Sequence, residues 1–171
     1  MDRSLFRAGV DPVVRAAPAT VDDAPFDALS REFFRAVSFE PGGQPDYARL
    51  HDLFVDGGLL IRNSGPMPEV STVGQFIRPR LASVRAGELT RFHEMELVAV
   101  TEVFGHVAHR FGSYAKTGLA RGVPFAARGM VSTQFVHTPR GWRISAMAWD
   151  DERAGLVLPP RYEPRVPAAG T

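Results

Sequence analysis

Glu94 and Glu96 lie two apart in "FHEMEL". On a β-strand they would share a face, because successive side chains alternate sides. Paired carboxylates on one face suit acid/base work when burial pushes their pKa values apart; otherwise they form a solvated face or pair with arginines. The following segment, "HVAHRFGSYAKTG", carries Arg110 and Tyr114 at one parity. An arginine there would orient a glutamate or clamp an anionic ligand, and the phenol would donate to a ligand oxygen. A plain Arg–Glu cross-strand pair with a rim tyrosine is the structural alternative.

Farther on, "GMVSTQFVHTPRGWRISAMAWDDE" alternates like two strands joined at Pro139–Gly141. Ser132 and Gln134 interrupt its first half, and Trp149 and Asp151 share a side of its second half. Such polar groups are awkward in an apolar core, but they suit the wall of a ligand pocket. Satisfying nearby backbone groups is the alternative use for Ser132 and Gln134. In the catalytic reading Glu96 or Asp151 is the base and Gln134 with Tyr114 donates to an oxyanion, while Glu94, Arg110, Ser132 and Trp149 contact the ligand.

Other chemistries find little support. The sequence has no cysteine, which removes disulfides, thiolate nucleophiles and sulfur-bound zinc. Among five histidines there is no His-Glu-x-x-His spacing, and His106 and His109 would point to opposite faces of a strand. There is no nucleophile elbow and no glycine-rich phosphate loop. No metal and no cofactor is therefore expected. A formal charge of +1 supplies no field to attract nucleic acid or an acidic membrane. With no apolar run approaching the roughly 20 residues of a membrane span, and no apolar signal segment in Met1 to Thr20, the chain reads as soluble and cytoplasmic.

The elements that must position these residues follow from periodicity. A length of 171 residues fits one domain, and 44% hydrophobic with 23% charged residues is ordinary globular usage. Residues 1–20 show no periodicity and read as an arm, ahead of a domain over 21–153. Phe26, Leu29, Phe33, Phe34 and Val37 recur at helical spacing behind Asp22 and Asp23. "PGGQP" breaks that helix, and Tyr47, Leu50 and Phe54 mark a shorter second one. A strand over Leu59–Asn63 follows. Ser71 or Thr72 caps a third helix, with Gln75 in capping-box spacing from Thr72, and Pro79 is expected to kink or split it. From Thr90 the pattern turns to long strands meeting at Phe104-Gly105-His106. The segment 154–171 carries four prolines and reads as an extended tail.

Helices first and long antiparallel strands afterwards give an α+β fold, a strongly curved, mostly antiparallel sheet wrapped around three N-terminal helices. That cone, with "FHEMEL", "VFGHVAHRFGSY", "RGMVSTQFVHTPRGWRISAMAWDDE" and the trailing "LPPRY", resembles the nuclear transport factor 2-like superfamily, the SnoaL-like folds, in a bacterial branch. The resemblance spans roughly Pro25 to Pro160. It implies that Met147, Trp149 and Asp151 face the pocket, with Trp142 and Ile144 outside. It also places Gln134 where the superfamily's ketosteroid isomerases hold a neutral carboxylic acid. Where those isomerases carry their general-base aspartate this chain has Arg62 and Asn63, neither of which abstracts a proton at neutral pH.

The expected function is that of a small-molecule pocket protein, with Phe33, Tyr47, Phe54 and Phe76 lining a cavity closed by Trp149. Its partner would be a small hydrophobic, oxygenated molecule, handled by a cofactor-independent acid/base enzyme of the isomerase, cyclase or dehydratase type. A non-catalytic ligand-binding module or a dimerisation scaffold is the alternative. An apolar outer sheet face with Phe111, Phe135, Trp142 and Ile144 would support a homodimer.

Overall fold

The computed structural model describes residues 22–165. The arm expected over 1–20 and the end of the tail lie outside the described residues. Helix α1 spans Ala24–Val37 and buries Phe26, Phe33, Phe34 and Val37 on one side. The second helix is shorter than its spacing suggests. A 3-10 turn at Tyr47–Arg49 leads into one α-turn, α2, Leu50–Leu53. Strand β1 then begins at Phe54 and runs to Arg62, longer than expected, and pairs with a short strand β2, Glu69–Thr72. Helix α3, Val73–Arg85, starts in the full capping box of Thr72 and Gln75. Pro79 sits inside it without dividing it.

Four long strands complete the sheet: β3, Leu89–Phe104; β4, Val107–Ala120; β5, Val123–Thr138; β6, Gly141–Asp151. Their order is β2-β1-β6-β5-β4-β3, antiparallel except where β1 meets β6. The fold is the expected α+β cone. The β4–β5 link is a two-residue turn in which Arg121 (φ 50°) and Gly122 (φ 76°) both adopt left-handed backbone, the geometry that matches strand twist.

Bulges bend the sheet and reverse side-chain parity where they occur. In β3 the register against β4 slips between Glu96 and Val98, so Leu97 is the extra residue. Val98 therefore leaves the face shared by Glu94 and Glu96, contrary to a strict alternation. In β6 the slip against β5 lies between Gln134 and Phe135, which pair with Ala146 and Ile144, so Ser145 is extra. Trp142 and Ile144 thus point inward, as do Met147 and Trp149 beyond the bulge, and all four belong to or pack against the core. Phe26 meets both Phe135 (5.1 Å between ring centroids) and Trp142 (5.0 Å) inside the cone. Phe135, Trp142 and Ile144 are accordingly core residues and leave the outer face that the sequence reading gave them.

With Phe135 inside, alternation along β5 places Ser132 and Gln134 outside, which corrects their expected inward position. Phe111 does face outward, but the chain beyond β6 returns to cover it. Leu158 and Tyr162 are buried there, Tyr162 packs edge-on against Phe111, and Ser113 donates to the Tyr162 carbonyl at 2.7 Å. The proline-rich segment is thus held against the sheet at least as far as Tyr162. No helix among the described residues is long and apolar enough to cross a membrane.

Candidate functional site

The inner face of β4 alternates Gly112, Tyr114, Lys116 and Gly118, and the two positions between the glycines carry polar side chains. Tyr114 reaches across β5 because its cross-strand neighbour is Gly129. A Cβ there would stand 2.5 Å from the Tyr114 hydroxyl and closer still to the Asp150 carbonyl. Over that gap Tyr114 donates to Asp151 Oδ1 at 2.5 Å, and Lys116 Nζ donates to the same oxygen at 2.6 Å. Burial alone would raise the Asp151 carboxyl, but the bonds from Lys116 and Tyr114 outweigh it and hold the group below its ordinary value. Burial and the Asp151 carboxylate together push the Tyr114 phenol far upward, so it stays protonated. Asp151 and Tyr114, read from the sequence as base and oxyanion donor, therefore engage each other and anchor Lys116.

Glu96 has the same fate on the other side of Glu94. Arg110 clamps it with two bonds, Nε to Oε1 at 2.9 Å and Nη2 to Oε2 at 2.6 Å, and also reaches Asp27 at 2.7 Å and Thr101 at 2.7 Å. The Arg110 side chain is 9% exposed, and all its partners lie within the fold. This is the cross-strand pair that stood as the structural alternative, extended by α1.

Glu94 differs from both. Its backbone is held by the Ser38 hydroxyl, which accepts from the Glu94 N–H at 3.0 Å, while its carboxylate has no hydrogen-bond or ion-pair partner among the described residues. Burial pushes this carboxyl up to about 7, Asp151 adds to the rise, and Lys116 and Arg80 pull against it. An unpaired carboxyl titrating near neutrality gives and takes protons at the ambient pH.

Around it lies an interior pocket of about 200 Å³, walled by Val37, Tyr47, Phe76, Phe92, Phe125 and Trp149. Below it a void of about 30 Å³ touches Phe33, Tyr114, Met147 and Trp149. Phe54, expected on the wall, instead packs on Phe33 in the core, 6.2 Å between centroids. The Phe92 and Phe125 rings sit 6.3 Å apart over Gly118, where a Cβ would overlap Phe125. A wider groove of about 620 Å³ opens between α1 and β3, and Glu94 borders it too. Charged residues already engaged in pairs line much of that groove, including Asp27, Arg35 and Glu40, so the smaller, less open aromatic pocket is the stronger candidate.

Ser132 and Gln134 take no part. Ser132 bonds His109 on the outer face at 3.0 Å, and Gln134 is exposed there. Trp149 lines the pocket as expected. Besides Arg62, two charged residues outside the sequence-based site set join it: Lys116, the only lysine, and Arg80 on α3. Signals for both existed, since Lys116 shares parity with Tyr114 and Arg80 lies one helical turn beyond Phe76. No group of three or more His, Asp or Glu side chains among the described residues is arranged to hold a metal.

Neither a family model nor a curated protein matches this chain. Solved structures do. A nuclear transport factor 2-like superfamily protein from Salmonella enterica superposes with a TM-score of 0.62 at 14% identity, covering 86% of this chain and 94% of that one. A candidate aromatic ring hydroxylase from Novosphingobium aromaticivorans gives 0.63 at 18% identity, over 77% and 90%. A candidate dehydratase of the same fold family from Streptomyces avermitilis gives 0.58 at 15% identity, over 77% and 96%. At such identities the likeness is one of architecture, and it extends over most of the chain: this chain has the nuclear transport factor 2-like fold.

Proposed function

We propose that the protein is a cofactor-independent acid/base enzyme, of the isomerase, cyclase or dehydratase type, acting on a small, largely hydrophobic, oxygenated molecule. The observation that carries this reading is Glu94: a carboxyl without a partner, raised to about 7, on the wall of an aromatic pocket. Glu94 takes a proton from carbon and returns it to the substrate, and Lys116, fixed by Asp151 and Tyr114, still has ammonium protons to offer to a developing oxyanion. Glu96 and Asp151 are positioning residues in this scheme. The solved structure named as a candidate dehydratase fits the same class of chemistry. A homodimer belongs to the same reading, through the uncovered outer face where Met95, Val100, Phe104 and Val107 are exposed. Light scattering would give a dimer, and Phe104→Asp a monomer.

The test is hydrogen exchange at carbon. Aryl ketones and β-dicarbonyl compounds incubated with the protein in deuterated buffer should lose their acidic C–H signals faster than in buffer alone, with Glu94→Gln abolishing the acceleration. Equal acceleration by Glu94→Gln would remove Glu94 as the base, and bound ligand without exchange would make the protein a binding module.

A further inference from the structure

Three cations border the interior pocket, and two of them are already matched. Lys116 pairs with Asp151 at 2.6 Å, and Arg62 with Glu69 at 3.4 Å. Arg80 has no carboxylate within ion-pair distance among the described residues. Its Nη1 donates to the Phe76 carbonyl at 3.0 Å and its guanidinium lies 3.5 Å above the Phe76 ring. That leaves most of its five N–H donors free on the pocket wall. Burial already disfavours its charge and pulls its pKa below the ordinary value. A partly buried guanidinium without a carboxylate partner favours an anion, and a planar oxyanion meets its fork geometry best.

The remaining walls set the rest of the ligand. Phe76, Phe92, Phe125 and Trp149 offer ring faces and edges, and a cavity of about 200 Å³ is below the usual range for drug-sized ligands, leaving room for one ring and a short chain.

We propose that the pocket binds a small aromatic or ring-bearing carboxylate, its two oxygens paired with the Arg80 guanidinium and its ring held among Phe92, Phe125 and Trp149. This inference deepens the acid/base reading by naming the substrate class, since it sets the carbon next to the carboxylate or ring within the space bordered by Glu94.

The experiment compares benzoate, phenylacetate and cinnamate with their uncharged amides, by titration calorimetry on the full chain. Each carboxylate that binds should bind about ten- to a hundredfold more tightly than its amide, the difference one charged hydrogen-bonding partner makes. Arg80→Gln should erase that preference by weakening the acids about ten- to a hundredfold and the amides far less; Arg80→Lys, which keeps the charge but loses the fork, should retain part of it. Amides binding as well as acids, a preference that survives Arg80→Gln, or no binding by any carboxylate up to millimolar concentration would each overturn the inference. Its failure is separable from that of the enzyme reading. Carboxylate binding without carbon exchange sinks the catalysis alone, whereas exchange on neutral ketones with no preference for acids sinks the ligand class alone.

Discussion

Replacing Glu94 by Gln should stabilise the protein, by an amount that grows as pH rises from 4.5 to about 7 and is constant above it. The folded carboxyl titrates near 7 against an ordinary 4.5. Between those values the unfolded chain has released its proton and the folded chain still holds it, so stability falls as pH rises. Below 4.5 both states are protonated and the difference disappears; above about 7 the folded protein carries the full cost of an ionised, unpaired Glu94. At about 1.4 kcal/mol per tenfold change in acidity, that cost is roughly 3 kcal/mol. Glu94 also borders the open groove, and water there trims the figure to about 2 kcal/mol. Glutamine cannot ionise and closely matches the protonated acid in shape. Urea unfolding followed by tryptophan fluorescence should therefore give equal stabilities near pH 4.5, and an advantage of about 2 kcal/mol for Glu94→Gln at pH 8. Asp151 titrates in both proteins and cancels from the comparison. A gap of constant size across this range, or a wild type that gains on the variant as pH rises, would refute the burial argument and with it the choice of Glu94 as base.

The other predictions concern the groups around it. Arg110→Ala leaves Glu96 and Asp27 facing each other without their cation, and should cost about 3 kcal/mol, read as a melting temperature lower by about 10 °C. Tyr114→Phe removes a donor to Asp151 and should cost about 1 kcal/mol at neutral pH. Because Asp151 is held below its ordinary value, its contribution is present above 3.8 and lost as pH falls through the depressed value; Tyr114→Phe should move that acid loss to higher pH. Gln134→Leu, on the outer face, should leave ligand affinity and carbon exchange within twofold of wild type. A large loss in that variant would mean that β5 presents its other face to the pocket.

The helices and the cone were legible because their signals are local and repetitive. The α1 stripe and the Thr72–Gln75 capping box read directly from spacing, and both formed as read. Position on the sheet's two faces was legible only up to the first bulge. Glu94, Glu96, Arg110 and Tyr114 share the inner face as parity implied, because the Leu97 bulge lies beyond the glutamates. On β6 the resemblance correctly placed Met147, Trp149 and Asp151 inside, but carrying that parity back through Ser145 put Trp142 and Ile144 on the wrong side. Counting onward across the turn then put Ser132 and Gln134 inside and Phe135 outside. Nothing in "RISAM" announces an extra residue; hydrophobicity did favour Phe135, Trp142 and Ile144 as core over Ser132 and Gln134, and that argument was the stronger one.

What the sequence could not rank was the three inner carboxylates, which are chemically alike and lie on the same wall. Their ranking depends on which cation each can reach, and register decides that. Arg110 sits opposite Thr101 yet reaches back to Glu96 past the bulge, so Glu96 is neutralised. Lys116 sits directly opposite Glu94 in the β3–β4 ladder, and on pairing alone it should have neutralised Glu94. Its ammonium goes instead to Asp151, two strands away, because Gly129 lets Tyr114 lie across β5 and fix that carboxylate within reach. One lysine thus serves the farther acid and leaves the nearer one unpaired. A side chain at position 129 would displace Tyr114, loosen Asp151 and release Lys116 toward Glu94, lowering the Glu94 carboxyl from about 7 toward ordinary acidity. The acidity of Glu94 is in this sense set by a glycine on a strand that does not pair with its own.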